Sequence, residues 1–112
     1  MSIELPFPPH TLSGHASGNS HWKKTAITKE WRERARIATN RAEPCVPLTG
    51  DIKIAIHFIP PDRRGDRVNF PNRMKPIFDG IADALGVNDS RFLPSYHFHA
   101  PEKPGAVIVE VE

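Results

Sequence analysis

Five aspartates, Asp62, Asp66, Asp79, Asp83 and Asp89, fall in one stretch, "PPDRRGDRVNFPNRMKPIFDGIADALGVNDSRF", interleaved with Arg63, Arg64, Arg67, Arg73, Lys75 and Arg91. Carboxylate oxygens are what a hard divalent cation takes. Mg²⁺ keeps several of its waters, so two or three acids suffice when a phosphate supplies the rest. Such a cation activates water and stabilises charge on a phosphodiester. Arginine grips phosphate in a bidentate fork, and lysine brings a mobile point charge to a developing oxyanion. The competing interpretation is a solvated loop of mutually paired charges ahead of an ordinary core helix.

Histidines offer a second chemistry. His97 and His99, two apart on a predicted strand, share a face, and His57 lies on another strand, so three imidazoles could meet zinc or another transition metal. No HExxH pattern accompanies them, and ordinary surface histidines are the alternative. His10, His15 and His21 belong to a segment rich in Gly, Ser and Asn. Trp22 beside Lys23 and Lys24 can stack on an unpaired base or anchor that segment to the core. A Gly-rich phosphate loop, a GxSxG elbow and a CxxC pair are all missing. The single cysteine, Cys45, cannot form an internal disulfide.

The elements that must position these groups follow from periodicity. "SIELPF" (2–7) alternates as a half-buried strand, and Pro6 marks it as an edge. Residues 10–26 show no apolar period and are expected to form a long loop. Thr28 can cap a helix over 29–42, with Trp31, Ala35 and Ala38 at helical spacing and a stop before Pro44. "DIKIAIHFIP" (51–60) alternates Ile52, Ile54, Ile56 and Phe58 against Lys53, Ala55, His57 and Ile59, the clearest strand. A second helix is expected over 73–85, with Ile77, Ile81 and Leu85 on one face, Asp79 and Asp83 on the other, and Gly86 at its end; Pro76 delays its regular part. "SYHFHA" and "GAVIVEVE" complete the chain as strands joined by "PEKP" in an expected hairpin. The order β-α-β-α-β-β predicts an α+β (mixed α/β) single domain over 1–112, with two helices and a mixed four-stranded sheet.

Composition sets outer bounds. With 112 residues, 38% apolar and 25% charged, the chain suits one globular domain, and its 12 prolines predict many loops. No apolar run approaches the ~20 residues of a membrane span. The N-terminus lacks the basic-then-apolar order of a secretory signal, so a cytoplasmic location is expected. The net charge of +2 is too mild to imply nucleic acid by itself. Its distribution says more, because between His21 and Ala42 the chain carries Lys23, Lys24, Lys29, Arg32, Arg34, Arg36 and Arg41 against only Glu30 and Glu33, the pattern of a polyanion-binding face.

The block "GDRVNFPNRMKPIFDGIADALGVNDSRF", with the opening "LPFPP", the strand ending in "PPDRR" and the expected closing β-hairpin, resembles the RusA family of Holliday junction resolvases over nearly the whole chain. Those are small homodimeric endonucleases of phage and prophage origin that act in DNA recombination and repair. The resemblance implies a RusA-like fold and Mg²⁺-dependent, paired symmetric nicking of four-way DNA junctions. It implies Asp66 and Asp89 as metal ligands, with Asp79 a further one, and Lys75 as the essential lysine. Asn69 takes the place of the motif asparagine. DNA contacts are expected from Lys23, Lys24, Arg63, Arg64, Arg67, Asn69 and Arg73. Two departures stand out: Val68 occupies the position of the second aspartate of the D-x-D-N motif, and the acidic turn after the helix reads Asn88-Asp89. A register without insertion would instead give Asn72 the asparagine's place and put Asn69 and Pro71 where the two motif aspartates belong. The inserted register is preferred because it keeps Asp66 and Asn69 in step. With a ligand missing either way, a catalytically weak or inactive junction-binding protein on the same scaffold is the alternative function.

Overall fold

A computed structural model of the chain describes residues 1–12 and 21–112, with the backbone alone for 21–24. Its elements run β1 (Ser2–Leu5), α1 (His21–Ala42), β2 (Ile52–Ile59), α2 (Lys75–Leu85), β3 (Phe92–Phe98) and β4 (Ala106–Val111), with 3₁₀ turns at His10–Leu12, Arg67–Arg73 and Asp89–Arg91. The strands form one mixed sheet in the order β1-β4-β2-β3. β4 is antiparallel to β1 and β2, and β3 is parallel to β2. The two helices and mixed four-stranded sheet are the α+β content expected from the periodicities, and β1 is an edge strand.

β2 explains the layering. Ile52, Ile54, Ile56 and Phe58 are essentially fully buried and meet Ile3 and Leu5 of β1, Val107 and Val109 of β4, and Trp31, Ala35, Ile77 and Ile81 of the helices. Each such large apolar side chain contributes about 1.5–3 kcal/mol over exposure. The opposite parity of β2 and β3 points to the other face of the sheet, where His57, Leu93, Ser95 and His97 lie. Met74 and Phe70 close the core beneath the turn that leads into α2.

α1 begins at His21, eight residues before the expected start, so 21–28 belong to a helix and not to the predicted loop. Thr28 lies inside it and caps nothing. Ile27 packs on the core and extends the Trp31–Ala35–Ala38 stripe back by one turn, which supplies the missed apolar period. The remainder of the predicted loop, 13–20, falls outside the described residues.

α2 starts at Lys75, preceded by the 3₁₀ stretch that absorbs the irregular part of the sequence, and Pro76 sits in the first turn, where a missing N–H costs nothing. Gly86 ends the helix at φ 66°, as its position predicts. Where α2 crosses α1, Gly80 permits close approach: a Cβ there would run into the Arg32 carbonyl oxygen and sit 2.8 Å from Ala35 Cβ.

The expected β3–β4 hairpin does not form. After β3 the chain turns around the end of β2, where His99 N–H donates to the Phe58 carbonyl at 2.9 Å and Glu102 N–H to that of Pro60 at 2.8 Å. This tether carries the chain past β2, so β3 and β4 flank it from opposite sides. β3 thereby pairs in parallel through the β2-α2-β3 crossover that a helical connection favours.

Candidate functional site

Lys75, the first residue of α2, stands at the positive end of the helix dipole, a poor place for a cation unless acids compensate. Two do. Asp79, one turn later, lies 3.0 Å from Lys75 Nζ, and the Asp89 carboxylate also accepts from that ammonium. Asp89 is delivered by the 3₁₀ turn after α2, which Asn88 caps by accepting from Ser90 N–H at 2.9 Å. Asn88 thus has a local backbone duty, and the acid beside it turns toward the lysine. The Lys75 side chain is 67% exposed against 24% for Asp79 and 33% for Asp89, so the ammonium is open to a polyanion in solution while its carboxylates are partly shielded. Asp89 is held below the usual carboxylate range, chiefly by its hydrogen bond from Lys75. The Lys75 ammonium is stabilised upward, first by Asp89 and then by Asp79.

This pairing has a pH signature. A depressed carboxylate pKa in the folded state means stabilisation that is complete above the ordinary carboxylate pKa and lost as pH falls through the lower folded value. Wild type is therefore expected to be more stable than Asp89→Asn at neutral pH, with the gap closing on acidification below about pH 4, read from urea midpoints across that range. Added salt should narrow the gap as well.

Asp66, expected with Asp89 as a metal ligand, is committed locally. Asp66 caps the Arg67–Arg73 turn, its carboxylate accepting from Val68 N–H at 3.2 Å. Among the described residues, no group of three or more His, Cys, Asp or Glu side chains is arranged to hold a metal ion. The expected trio of Asp66, Asp79 and Asp89 is thus not assembled; Asp79 and Asp89 come together. In donor type this pair suits Mg²⁺, which takes one or two carboxylates and completes its shell with water and phosphate oxygens. Val68, where the family motif has an acid, is 74% exposed. Asn69 is exposed on the turn, whereas Asn72 and Pro71 line a cleft of about 600 Å³ together with Lys75, Pro76 and Phe78. The amide that shares a cleft with the lysine is therefore Asn72, the residue of the register without insertion.

The basic residues divide into two groups. On α1, Arg32 makes a bidentate pair with Asp83 at 2.6 and 2.9 Å, Arg34 pairs with Glu30, and Arg36 with Glu33. Those arginines are already neutralised, which reduces the basic face that composition suggested. Arg91 clamps the connector before β2, donating to the carbonyls of Gly50 and Pro47 at 2.9 and 2.7 Å. Arg73, expected on DNA, is instead a brace. It donates to the Pro8 carbonyl at 3.0 Å and stacks over Phe7 and Phe70, and burial pushes its pKa down. Its guanidinium is drawn inward because that carbonyl and the two rings need a planar donor between them. Arg63 and Arg64 on the loop after β2 and Arg67 at the start of the 3₁₀ turn remain, all exposed, with a 4.0 Å approach from Arg64 to Asp62. Clefts of about 420 Å³ lie on either side of this loop, one lined by Arg64, Arg73 and His10, the other by Arg63, Arg64 and Arg67. The side chains of Lys23 and Lys24 are outside the described residues.

No protein-family model matches the chain. It is 38% identical over 98 residues to an uncharacterized protein of Xylella fastidiosa (strain Temecula1 / ATCC 700964), an alignment that covers 83% of this chain and 63% of that protein. The chain thus spans less than two thirds of that relative's length. Among the described residues no helix is long and apolar enough to cross a membrane.

Proposed function

We propose that the chain is a Mg²⁺-dependent endonuclease selective for branched DNA, nicking four-way junctions in the manner of the RusA family that its sequence resembles. The supporting observation is that Asp79 and Asp89 meet at Lys75, at the start of α2. Asp79 and Asp89 would hold Mg²⁺, whose chemistry there would be water activation and charge stabilisation at a phosphodiester. Lys75, whose ammonium is exposed, would meet the oxyanion that develops as the phosphodiester breaks. Arg63, Arg64 and Arg67 hold phosphates along the neighbouring arm, and Asn72 hydrogen-bonds the backbone in the cleft beside Lys75. Two copies related by a twofold axis would address strands of opposite polarity, as paired nicks require.

A second reading, a junction-binding protein that does not cut, is favoured by the exposed Val68, by Pro71 and Asn72 beside the lysine, and by the local engagement of Asp66. One experiment separates the two: the full chain incubated with a synthetic four-way junction, with and without Mg²⁺, run on native and denaturing gels. Paired nicks that need Mg²⁺ and vanish in Asp89→Asn support the nuclease. Retained complexes without nicks support the binder, and neither binding nor nicking ends both. Binding should fall steeply between 50 and 200 mM salt, since several phosphates are neutralised.

A further inference from the structure

The face of the sheet turned away from both helices carries a histidine cluster that the proposed nuclease does not use. His57 on β2 and His97 on β3 are register partners with stacked rings, 4.8 Å between centroids. His99, just past β3, is fixed by its backbone bond to Phe58, and its ring lies 5.0 Å from that of His57. His57 Nδ1 and His99 Nε2 are 2.8 Å apart. On the other side of the same ring, His57 Nε2 is shut off from solvent and lies 3.2 Å from Glu110 Oε1 of β4, without hydrogen-bond alignment.

The geometry points to a binding site for a borderline-soft divalent metal ion of the Zn²⁺ type, chelated by His57 Nδ1 and His99 Nε2, with Glu110 orienting His57. Two ring nitrogens at hydrogen-bond distance require that one of them present a lone pair to the other. The Glu110 carboxylate favours the proton on His57 Nε2, which makes Nδ1 that lone pair. A carboxylate 3.2 Å from this ring nitrogen is placed, once aligned, to be the partner that commonly stands behind a metal-ligating histidine. His99 then needs only to exchange its ring proton from Nε2 to Nδ1 through solvent, so the two rings together neither gain nor lose a proton when the ion binds. Zn–N bonds of ~2.0–2.1 Å at a tetrahedral angle put the two nitrogens about 3.3 Å apart, roughly half an ångström wider than they stand, a change within reach of a small rotation of exposed His99.

His97 supports the chelate by stacking and is not a ligand, because its ring lies nearly parallel to that of His57 and its Nε2 is 3.2 Å from Ser95 Oγ. The site is therefore a two-imidazole chelate completed by water, in keeping with the absence of a three-ligand group among the described residues. Imidazole selects zinc, copper or nickel over Mg²⁺. The site is accordingly distinct in chemistry, as well as in position, from the Asp79–Asp89 pair, and it does not rest on the nuclease reading.

Isothermal titration of the full chain with zinc chloride, with magnesium chloride as control, tests it. One Zn²⁺ per chain with a micromolar dissociation constant is expected, with no heat from Mg²⁺ at the same concentrations. His99→Ala, at an exposed position, should weaken zinc binding at least tenfold, His57→Ala similarly, and Glu110→Gln about tenfold. Far-UV circular dichroism shows whether each variant is folded, and His99→Ala decides the matter if His57→Ala is not. No zinc binding below millimolar concentration, or binding undiminished in His99→Ala, overturns the proposal.

Discussion

Replacing Lys75 by alanine is expected to lower Mg²⁺-dependent nicking of a four-way junction by at least about a hundredfold while changing junction affinity by only a few fold. Loss of one group that stabilises developing charge typically costs two to three orders of magnitude in turnover. Affinity is spread over many phosphate contacts, so removing one cation reduces it modestly. The substitution also releases Asp79 and Asp89 from their shared ammonium. Mg²⁺ should then bind as well as before or better, so a turnover loss at saturating Mg²⁺ would belong to the lysine and not to failed loading. Single-turnover nicking over a Mg²⁺ series, beside a binding titration, separates these terms. Undiminished nicking in Lys75→Ala would move the chemistry away from the start of α2.

Gly80→Ala is expected to destabilise the fold by about 3 kcal/mol, against alanine's ~1 kcal/mol advantage in helix propensity. The new methyl would strike a main-chain carbonyl of α1, which cannot swing aside as a side chain end can. For a domain of this size that corresponds to a fall in melting temperature of roughly 10–20 °C. Gly86→Ala is the control. Its Cβ meets nothing within 4 Å, and only the left-handed φ of 66° opposes it, at about 1 kcal/mol. Urea and thermal unfolding of both variants give the comparison, and equal losses would mean that the helix crossing is looser than described.

The strands and α2 could be read from the sequence because each carries its own signal: strict alternation in Ile52–Ile59, the Ile77–Ile81–Leu85 stripe, and glycine at the end of α2. Three features could not be. The sequence of the first turns of α1, HWKKTAIT, is mostly polar, with Trp22, Ala26 and Ile27 its apolar residues, and so sparse a pattern upstream of Trp31 is easily taken for loop. A short Pro-bounded connector suggests a hairpin between β3 and β4, whereas main-chain hydrogen bonds from 99–102 to the end of β2 place β3 beside β2. Side-chain commitments were also hidden. Arg73 and the α1 arginines count as positive charge in any composition, but their partners lie far along the chain or one turn away, and only the packed fold shows which cations are already engaged. The carboxylates are legible as a group but not as a set: Asp79 lies one turn along the helix that Lys75 begins and Asp89 on the turn after it, while Asp66 is absorbed into capping its own turn.

β1 and β4 make a demand on assembly. Ser2 pairs with Glu110, and β4 is the sole bridge between β1 and β2. Until that strand is in place, the opening strand has nothing in the sheet to bond with and β2 offers a naked hydrophobic margin. A chain lacking 106–111 would therefore leave two sticky borders in place of one closed seam, and a ribosome-bound fragment would meet the same hazard before that strand emerged.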